Sequence, residues 1–311
     1  MSEQDARPTV GFIGLGTMGY GMARNLGKAG FPLALASRTA EKARALAEEL
    51  RPVNGRVRAL ESFSEVGRSS DVVVSSLPDA PEVEQVHLGD TGTASEARAG
   101  TIVIDTSTIA PEAARSIADR LSRRGVSFLD APVSGGQKGA LEGTLTFFVG
   151  GEAGAVEQAR TVFLAMGKRV THLGASGYGQ LGKAVNQILV GVNLMAVSEA
   201  MAFASKSGLP LSALHEALTA GAANSWALQV LGQKMIDRDF APAFAIKHQQ
   251  KDLAIVLKTA RERGTPLPGV ALVHQLLSSL EAQGRGGDGT QALLTLYEQL
   301  EGRTERENGR P

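Results

Sequence analysis

A glycine-rich turn near the N-terminus carries the first chemical signal in the sequence. It follows an apolar run that begins at Val10 and opens a helical pattern that continues to about Lys28. In that context the spacing G-x-G-x-x-G is typical of a dinucleotide-binding turn, because the glycines let the backbone approach a pyrophosphate and the helix N-terminus offers it free N–H groups. The sequence therefore predicts dinucleotide contacts from the residues of this turn, Gly14, Leu15, Gly16, Thr17, Met18 and Gly19.

The end of the next apolar strand indicates which dinucleotide binds. NAD sites place an acidic side chain there to hold the ribose hydroxyls. This chain has Ser37, Arg38 and Thr39 instead, with no Asp or Glu among them. A guanidinium and two hydroxyl groups suit a 2′-phosphate, so the sequence favours NADP(H) over NAD. An exposed arginine without a ligand is the alternative.

Two further strand ends are expected at the same edge of the sheet. Leu77 and Pro78 follow one apolar strand, and Thr108 follows another. Ligands of open α/β sheets lie at the carboxyl ends of the strands, so these three residues are predicted coenzyme contacts. Ordinary loop residues would show the same pattern.

A second glycine turn and a lysine are candidate substrate contacts. Ser134, Gly135 and Gly136 follow a strand, and the N–H groups of such a turn can bind a carboxylate together with the serine hydroxyl. Lys183 lies near the start of an otherwise apolar helix. An ammonium beside a carbonyl that accepts a hydride stabilises the developing alkoxide and donates the proton. The residues alone leave a plain turn, and a lysine that reaches solvent, equally open.

The elements that must position these residues follow from the apolar pattern. Short apolar strands alternate with helical segments in the first half of the chain, which indicates a mostly parallel, doubly wound sheet of the Rossmann type. We predict an NADP-binding domain over residues 1–175. Its strands are expected at Val10–Leu15, Leu33–Ser37, Asp71–Leu77, Thr101–Asp105, Ser127–Asp130, Thr144–Val149 and Arg169–His172.

From residue 176 onward the pattern is helical. The long apolar stretch Leu181–Ser207 is expected to form an interdomain helix. Shorter helices are expected at Leu211–Ala220, Leu228–Met235, Lys247–Arg263, Val270–Gln283 and Thr290–Leu300. Asp288 is expected to cap the last helix, with Gln291 completing a capping box. The sequence therefore predicts an all-helical domain for substrate binding and oligomerisation over residues 176–311, in a homodimer or homotetramer.

Composition excludes several classes of function. The 311 residues include no cysteine, which excludes disulfides and thiolate chemistry, and the 5 histidines lack metal-ligand spacing. Basic and acidic side chains number 32 each, so no net charge favours nucleic acid or an anionic membrane. The polar N-terminus has no signal-peptide pattern. We expect a cytoplasmic protein that binds no metal ion, nucleic acid or membrane.

Several sequence blocks, in order, resemble the β-hydroxyacid dehydrogenase family. This family includes 3-hydroxyisobutyrate dehydrogenase, tartronate semialdehyde reductase and glyoxylate/succinic semialdehyde reductase. The blocks are GFIGLGTMG, DAPVSGGQKGALEGTLTFFVGG, GYGQLGKAVNQ and FAIKHQQKDLAIVL. The resemblance extends from about Thr9 to Leu300, and it implies an oxidoreductase built from a Rossmann domain and a helical domain.

The resemblance assigns roles to several of the candidate residues named above. It implies that Lys183 is the catalytic lysine, and that the turn of Ser134, Gly135 and Gly136 binds the substrate carboxylate. It also implies that Thr108 contacts the coenzyme.

Further roles fall on the helical region. The resemblance implies that Asn186 and Gln187 hold substrate near the lysine and that Lys251 contacts the coenzyme. Phe244 and Asp252 match a pair in the glyoxylate/succinic semialdehyde branch. Many relatives have two asparagines where this chain has Asn186 and Gln187, so the substrate preference is open.

Together these features predict an NADP-dependent reductase of small aldehyde or keto acids, of the glyoxylate or succinic semialdehyde type. Its partner would be a small carboxylate-bearing aldehyde or hydroxyacid. The alternatives are a dehydrogenase of 3-hydroxyisobutyrate or tartronate semialdehyde, an imine reductase, and a non-catalytic NADP-binding regulatory protein. The last two classes do not require a lysine at position 183, so Lys183 counts against them.

Overall fold

The computed structural model describes residues 7–302, which divide into two compact units between Lys183 and Ala184. Residues 7–183 are named unit 1 and residues 184–302 unit 2. All strands of the described chain lie in unit 1, and the regular elements of unit 2 are helical. The predicted Rossmann-type sheet followed by a helical region is therefore confirmed. The predicted domain boundary after residue 175 lies eight residues before this division, and it stays a prediction.

One sheet forms the centre of unit 1. Its strands are β1 (Val10–Ile13), β2 (Leu33–Ala36), β3 (Val57–Ala59), β4 (Val72–Ser75), β5 (Ile102–Asp105), β6 (Ser127–Asp130), β7 (Val133–Ser134), β8 (Leu145–Gly150) and β9 (Gly167–Gly174). The first six are parallel, in the order β3-β2-β1-β4-β5-β6. The strand order reverses between β1 and β4, and the carboxyl ends there border the crevice in which such sheets bind ligands.

Burial on both faces explains the unbroken apolar runs of the central strands. Val72 and Val74 belong to one core cluster, whereas Val73 belongs to a second. Phe12 and Ile13 of β1 divide between the two clusters in the same way. Successive side chains of a strand point to opposite faces, so a strand covered on both sides needs apolar residues at every position.

The helices of unit 1 follow the strands. They are α1 (Thr17–Lys28), α2 (Ala40–Leu50), α3 (Phe63–Ser69), α4 (Ala80–Leu88), α5 (Pro111–Ser122), α6 (Gly136–Glu142), α7 (Ala153–Gln158), α8 (Arg160–Met166) and the first turns of α9 (Tyr178–Lys206). Local sequence fixes several of their ends. At α3, for example, the Ser62 side chain accepts from the Glu65 N–H and the Glu65 side chain accepts from the Ser62 N–H, which is a capping box.

Two strands were absent from the sequence prediction. β3 has three residues with Arg58 exposed, and β7 has two half-buried residues. Segments this short carry no readable apolar period. Tertiary pairing forms them instead, with β3 parallel to β2 and β7 antiparallel to β8.

Unit 2 contains the rest of α9 and a set of shorter helices. These are α10 (Leu211–Thr219), a π-helical segment (Ala227–Gly232), α11 (Gln233–Ile236), α12 (Ile246–Glu262), α13 (Pro268–Ala282) and, after a 3₁₀ turn (Thr290–Ala292), α14 (Leu293–Leu300). Their apolar faces meet in one core, where Leu253, Leu277 and Leu293 are fully buried.

Helix α9 is the one helix among residues 7–302 whose length and composition would allow it to cross a membrane. A core helix of a soluble protein passes the same test, so this observation is weak by itself.

The predicted capping box at the last helix is wrong. Gly289, not Asp288, occupies the N-cap position of the 3₁₀ turn, and Asp288 accepts a bond from Arg285 Nε at 2.8 Å. The Gln291 amide instead donates to the carbonyl oxygens of Asp239 and Ala241, at 2.8 and 3.1 Å. Gln291 is buried, and these two distant carbonyls offer its amide partners that the local sequence does not reveal.

Candidate active site

The turn between β1 and α1 is glycine-rich for two different reasons. Gly14 has a φ of +94°, and a Cβ there would overlap the Ser76 carbonyl oxygen. A Cβ on Gly19 would overlap the Gly14 carbonyl oxygen. Close packing within the chain therefore requires both of these glycines.

Gly16 differs from its two neighbours in the motif. Its φ is −80°, which any residue can adopt, and a Cβ there would meet no protein atom within 4 Å. The chain itself therefore does not require glycine at 16, whereas a ligand that approaches the backbone closely would. Helix α1 begins one residue later with no side-chain cap, so its first N–H groups can bind phosphate oxygens. This turn fits a dinucleotide.

The other predicted residues of the turn differ in their exposure. Leu15 is buried in the core of unit 1, Met18 is half-buried against that core, and Thr17 is exposed at the first helical position.

The end of β2 presents a cation that forms no ion pair among residues 7–302. Ser37 is half-buried, and Arg38 and Thr39 are exposed. Many arginines among residues 7–302 form ion pairs with carboxylates. Arg38 does not, because no carboxylate oxygen of these residues lies within 4.0 Å of its guanidinium. Its position at the carboxyl end of β2 is where a dinucleotide places its adenosine ribose. The geometry is thus compatible with binding a 2′-phosphate.

The ends of β4 and β5 are tied together by a buried hydrogen-bond network. Ser75 Oγ and Ser107 Oγ both donate to Asp105 Oδ1, at 2.7 and 2.6 Å. Ser107 Oγ in turn accepts from the Leu77 N–H at 2.9 Å. The segments that carry the predicted coenzyme contacts Leu77 and Thr108 are therefore held to one another.

His87 of α4 also belongs to this network, through a hydrogen bond to Ser75. Its ring is fully buried, with Nε2 at 2.9 Å from Ser75 Oγ and Nδ1 at 2.9 Å from Thr93 Oγ1. Burial lowers the pKa of His87 to about 3, so the ring is neutral near pH 7. Since the Ser75 hydroxyl donates to Asp105, it accepts from His87, which places the ring proton on Nε2. The sequence analysis did not identify His87.

The second glycine turn follows β7. Gly135 and Gly136 have φ values of +130° and +61°, and both are exposed. Successive N–H groups exposed in such a turn can form an anion-binding concavity. Ser134 is half-buried beside them and pairs with Thr146 of β8. The predicted carboxylate contacts are therefore adjacent in space.

Lys183 lies beside this turn. Its side chain is buried, with 8% of the residue exposed, and Nζ donates to the carbonyl oxygen of Val133 at 2.8 Å. Val133 directly precedes Ser134. The structure thus brings the predicted catalytic ammonium next to the predicted carboxylate turn, across about 50 residues of sequence.

Asp130 holds the start of α9 against the end of β6. Its Oδ1 accepts from the Gly177 N–H at 2.7 Å and its Oδ2 accepts from the Gln180 N–H at 2.9 Å. Burial raises the pKa of Asp130 to about 6, although these two N–H groups act in the opposite direction. Gly150 and Gly179 leave room for the carboxylate, since a Cβ at either position would lie 2.6–2.8 Å from an Asp130 carboxylate oxygen.

Gln180, three residues before Lys183, makes two more bonds in unit 1. Its Oε1 accepts from the Ile109 N–H at 3.1 Å, and its Nε2 donates to the Ser107 carbonyl at 2.9 Å. The sequence analysis identified neither Asp130 nor Gln180. The available signal for Gln180 was its spacing, which places it on the same helix face as Lys183.

A second polar group lies in unit 2. Asn186 Nδ2 donates to Gln187 Oε1 at 2.8 Å, and Gln187 Nε2 donates to Asp252 Oδ2 at 2.7 Å. Asp252 Oδ1 lies 3.1 Å from Lys251 Nζ. Gln187 Nε2 is also 3.4 Å from Gln249 Oε1, a residue that the sequence analysis did not identify. Four predicted residues are thus brought together.

Phe244 lies two residues before α12, outside this cluster of bonds. Its ring is 6.1 Å from the His248 ring, and 37% of the residue is exposed. Burial, with the charges of Lys247 and Lys251, lowers the pKa of His248, while Asp252 acts against this shift. No group of three or more His, Cys, Asp or Glu suited to a metal ion occurs within residues 7–302.

Family models match both parts of the chain. A model described as the NAD binding domain of 6-phosphogluconate dehydrogenase matches residues 9–174. A model described as the NAD-binding of NADP-dependent 3-hydroxyisobutyrate dehydrogenase matches residues 177–297.

Curated relatives match over most of their length. The chain is 39% identical to 2-hydroxy-3-oxopropionate reductase of Escherichia coli over 275 residues, which cover 88% of this chain and 92% of that protein. It is 35% identical to NAD-dependent L-serine dehydrogenase of Pseudomonas aeruginosa over 300 residues, which cover 94% and 99%.

Solved structures match as well. The 3-hydroxyisobutyrate dehydrogenase of Salmonella typhimurium has a TM-score of 0.82 and 31% identity, covering 93% of this chain and 99% of its own. The structure of Psf3 in complex with NADP+ and 2-OPP has a TM-score of 0.82 and 25% identity, with the same coverage. Since the family models and these enzymes match nearly the whole described chain, the protein belongs to the β-hydroxyacid dehydrogenase family, the NAD(P)-dependent oxidoreductases that act on the CH–OH group of hydroxyacids.

Proposed function

We propose that this protein is an NADP(H)-dependent reductase of small aldehyde or keto acids, with Lys183 as the proton donor. The observation that carries the proposal is the buried Lys183 ammonium, whose Nζ is bonded to Val133 O beside the Ser134 turn. Burying a lysine away from water is costly, so a protein keeps one where its charge is used. A donor next to an anion-binding turn suits a substrate with both a carboxylate and a carbonyl.

The chemistry divides between the coenzyme and the chain. When bound, the nicotinamide supplies the hydride that reduces the carbonyl carbon. The Ser134 hydroxyl and the N–H groups of Gly135 and Gly136 bind the substrate carboxylate. Lys183 stabilises the charge that develops on the carbonyl oxygen and donates the proton that makes it a hydroxyl. In the direction of oxidation, the neutral Lys183 amine accepts that proton.

The preference for NADP(H) is supported by the end of β2. Arg38 is exposed and lacks a carboxylate partner among the described residues, and Ser37 and Thr39 offer hydroxyl donors beside it. Relatives with NAD and with NADP in their names both match the chain, so this preference depends on the residues of this position.

The substrate class is supported by the relatives and by the size of the groups involved. 2-Hydroxy-3-oxopropionate is a three-carbon aldehyde acid, which is the kind of molecule that the Ser134 turn and Lys183 suit together. Glyoxylate and succinic semialdehyde have the same two functional groups, and the pair of Phe244 and Asp252 favours them through the family resemblance.

The first experiment tests the role of Lys183. Wild type, Lys183→Met and the matched control Lys168→Met, which changes an exposed lysine of β9, would be assayed for NADPH oxidation with glyoxylate, succinic semialdehyde and 2-hydroxy-3-oxopropionate. We expect kcat of Lys183→Met to fall by about 10²–10⁴-fold, the usual contribution of general acid catalysis, and the control to be unchanged. Full activity of Lys183→Met would refute the proton-donor role. A cyclic imine as the best substrate would favour the imine reductase alternative.

A second experiment tests the coenzyme preference. Arg38→Ala is expected to lower kcat/KM for NADPH by about 10–100-fold, the loss of one charge-assisted contact, with little change for NADH. Arg58→Ala, which removes an exposed arginine of β3, is the matched control. An equal loss for both coenzymes, or a wild type that prefers NADH, would contradict the proposed role of Arg38.

A further inference from the structure

Gln180 is a buried residue that bonds to two separate segments of unit 1, to one through its side chain and to the other through its backbone. Only 2% of the residue is exposed. Its side-chain amide bonds to the β5–α5 segment, and its backbone N–H bonds to Asp130 at the end of β6. No step of the proposed reaction uses Gln180, so its burial with three bonds requires another explanation.

The two amide bonds enclose Thr108. Gln180 Nε2 donates to the carbonyl of Ser107, the residue before it, and Oε1 accepts from the N–H of Ile109, the residue after it. Ser107 is also held from the other side, by Asp105 and by the Leu77 N–H. The peptide groups around the predicted nicotinamide-side contact are therefore fixed from both directions.

The same residue is fixed to the segment that carries the lysine. Gln180 and Lys183 are three positions apart on α9, so their side chains project from one face of the helix. The Asp130 carboxylate holds the Gly177 and Gln180 N–H groups in the first turn of that helix. One residue thus joins the Thr108 segment to the helical turn from which Lys183 projects.

We propose that Gln180 is a positioning residue that keeps the Thr108 segment and the Lys183 turn at a fixed spacing. The inference rests on the proposed function, in which Lys183 donates the proton and Thr108 lies beside the coenzyme. An amide is the side chain that this task requires, because it must donate to one backbone group and accept from another while it stays neutral. A carboxylate would accept but not donate, and an apolar side chain would do neither.

Two variants separate positioning from simple stability. Gln180→Met keeps the length of the side chain and removes both amide bonds, and we expect kcat to fall by about 10–100-fold, as small misplacements of reacting groups do. The glycine turn follows β1 and Arg38 follows β2, and neither bonds to Gln180. The dissociation constant for NADPH, measured by NADPH fluorescence, is therefore expected to change by less than about threefold.

Gln180→Glu adds a pH readout. When protonated, the new carboxylic acid can both donate to Ser107 O and accept from Ile109 N, whereas the ionised form loses the donor. Burial favours the protonated form, as do the carboxylates of Asp130, which accepts from the N–H of residue 180, and of Asp105, which accepts from Ser107; the Lys183 ammonium opposes it. We expect the ratio of variant to wild-type kcat to rise by about tenfold from about pH 8.5 to about pH 6, while the ratio for Gln180→Met stays flat. Asp130 titrates in all of these proteins, and the ratio for Gln180→Met, which introduces no charge, measures the pH dependence that occurs without a new carboxylate.

Gln291→Glu is the matched control. Gln291 is equally buried, in unit 2, and its amide also bonds to backbone carbonyls, those of Asp239 and Ala241. Its kcat is expected to stay within about twofold of wild type at both pH values, although its stability will fall.

The outcomes distinguish this inference from the function on which it rests. If Lys183→Met is inactive but Gln180→Met keeps kcat within about twofold, the positioning role is wrong and the proposed function stands. A pH-independent ratio for Gln180→Glu also overturns the positioning role, even if Gln180→Met proves too unstable to assay. If Lys183→Met is fully active, the proposed function fails and the inference fails with it.

Discussion

The polar residues around Lys183 in unit 1 and around Gln187 in unit 2 are held by different kinds of partner. Around Lys183 the partners are backbone groups: Lys183 bonds to Val133 O, Asp130 to the Gly177 N–H, and the Gln180 amide to the Ser107 carbonyl. Around Gln187 the partners are other side chains: Asn186 bonds to Gln187, Gln187 to Asp252, and Asp252 to Lys251.

This difference separates a rigid region from an adaptable one. A backbone partner moves only with the main chain, whereas two side chains bonded to each other can both change partner by rotation. Gln249 Nε2, buried in unit 2, has no hydrogen-bond partner within the described chain. The side chains around Gln187 therefore include a donor that is available for a new hydrogen bond. We expect unit 1 to define the geometry of the reaction and unit 2 to adjust to different substrates.

The largest effect is expected at Asp130. Asp130→Ala leaves the buried Gly177 and Gln180 N–H groups without acceptors, and the expected loss is about 2–4 kcal/mol of unfolding free energy. Hydrogen exchange of unit 1 peptides would measure it. Asp130→Asn keeps one carbonyl acceptor and should lose less. A loss below about 1 kcal/mol for Asp130→Ala would remove the distinction between the units.

The hydrogen-bond network of Ser75, Asp105 and His87 should make the stability of unit 1 sensitive to acid. The pKa of His87 is lowered to about 3 from an ordinary value of 6.5, so the unfolded chain binds a proton before the folded one does. Its contribution to stability is complete above about pH 6.5 and is lost as the pH falls toward 3. The pKa of Asp130 is raised to about 6, and its protonation below that pH stabilises the fold and partly offsets the loss.

His87 variants test this second effect. His87→Leu should destabilise the protein by about 2 kcal/mol at pH 7, because Ser75 and Thr93 each lose a partner. His87→Gln, which can donate to one and accept from the other, should restore most of that stability and remove most of the acid sensitivity. Denaturant unfolding at pH 7 and pH 5 would measure both. An unchanged pH dependence in His87→Gln would show that another group causes it.

The smallest effect is expected in unit 2. Asp252→Asn keeps an acceptor for Gln187 and loses the charge that pairs with the partly exposed Lys251, so the unfolding free energy should change by less than about 1 kcal/mol. The ratio of kcat/KM between glyoxylate and succinic semialdehyde should change more than the stability does. If Asp252→Asn destabilised the protein as much as Asp130→Ala, unit 2 would be as rigid as unit 1.

Most of the fold is predictable from the sequence because burial on both faces leaves a clear pattern. The unbroken run at Val72–Ser75 predicts a central strand, and the structure has one there. The failures are elements that depend on distant partners. β3 needs β2 beside it, and the π-helical hydrogen bonds of Ala227–Gly232 are not encoded in the spacing of apolar residues.

The site is predictable in part for the same reason. The glycine turn is a local signal, so its residues could be named directly. The proximity of Lys183 to Ser134 came from the family resemblance, and the structure places Lys183 Nζ on the neighbouring Val133 carbonyl. Asp130 and His87 act through bonds to residues far away in the sequence, and no local pattern indicates such bonds.

The space around the Asp130 carboxylate has a practical consequence for engineering the substrate range. A Cβ at Gly150 or Gly179 would crowd that carboxylate, and it would also lie within 2.8 Å of backbone atoms that no substitution at position 130 removes. Both glycines are therefore required whatever residue occupies position 130, and library clones that replace either one would be mostly misfolded. Gly135 and Gly136 are exposed but have positive φ values that L side chains rarely adopt, so diversity is better introduced at the exposed residues beside them, Gln137 and Lys138.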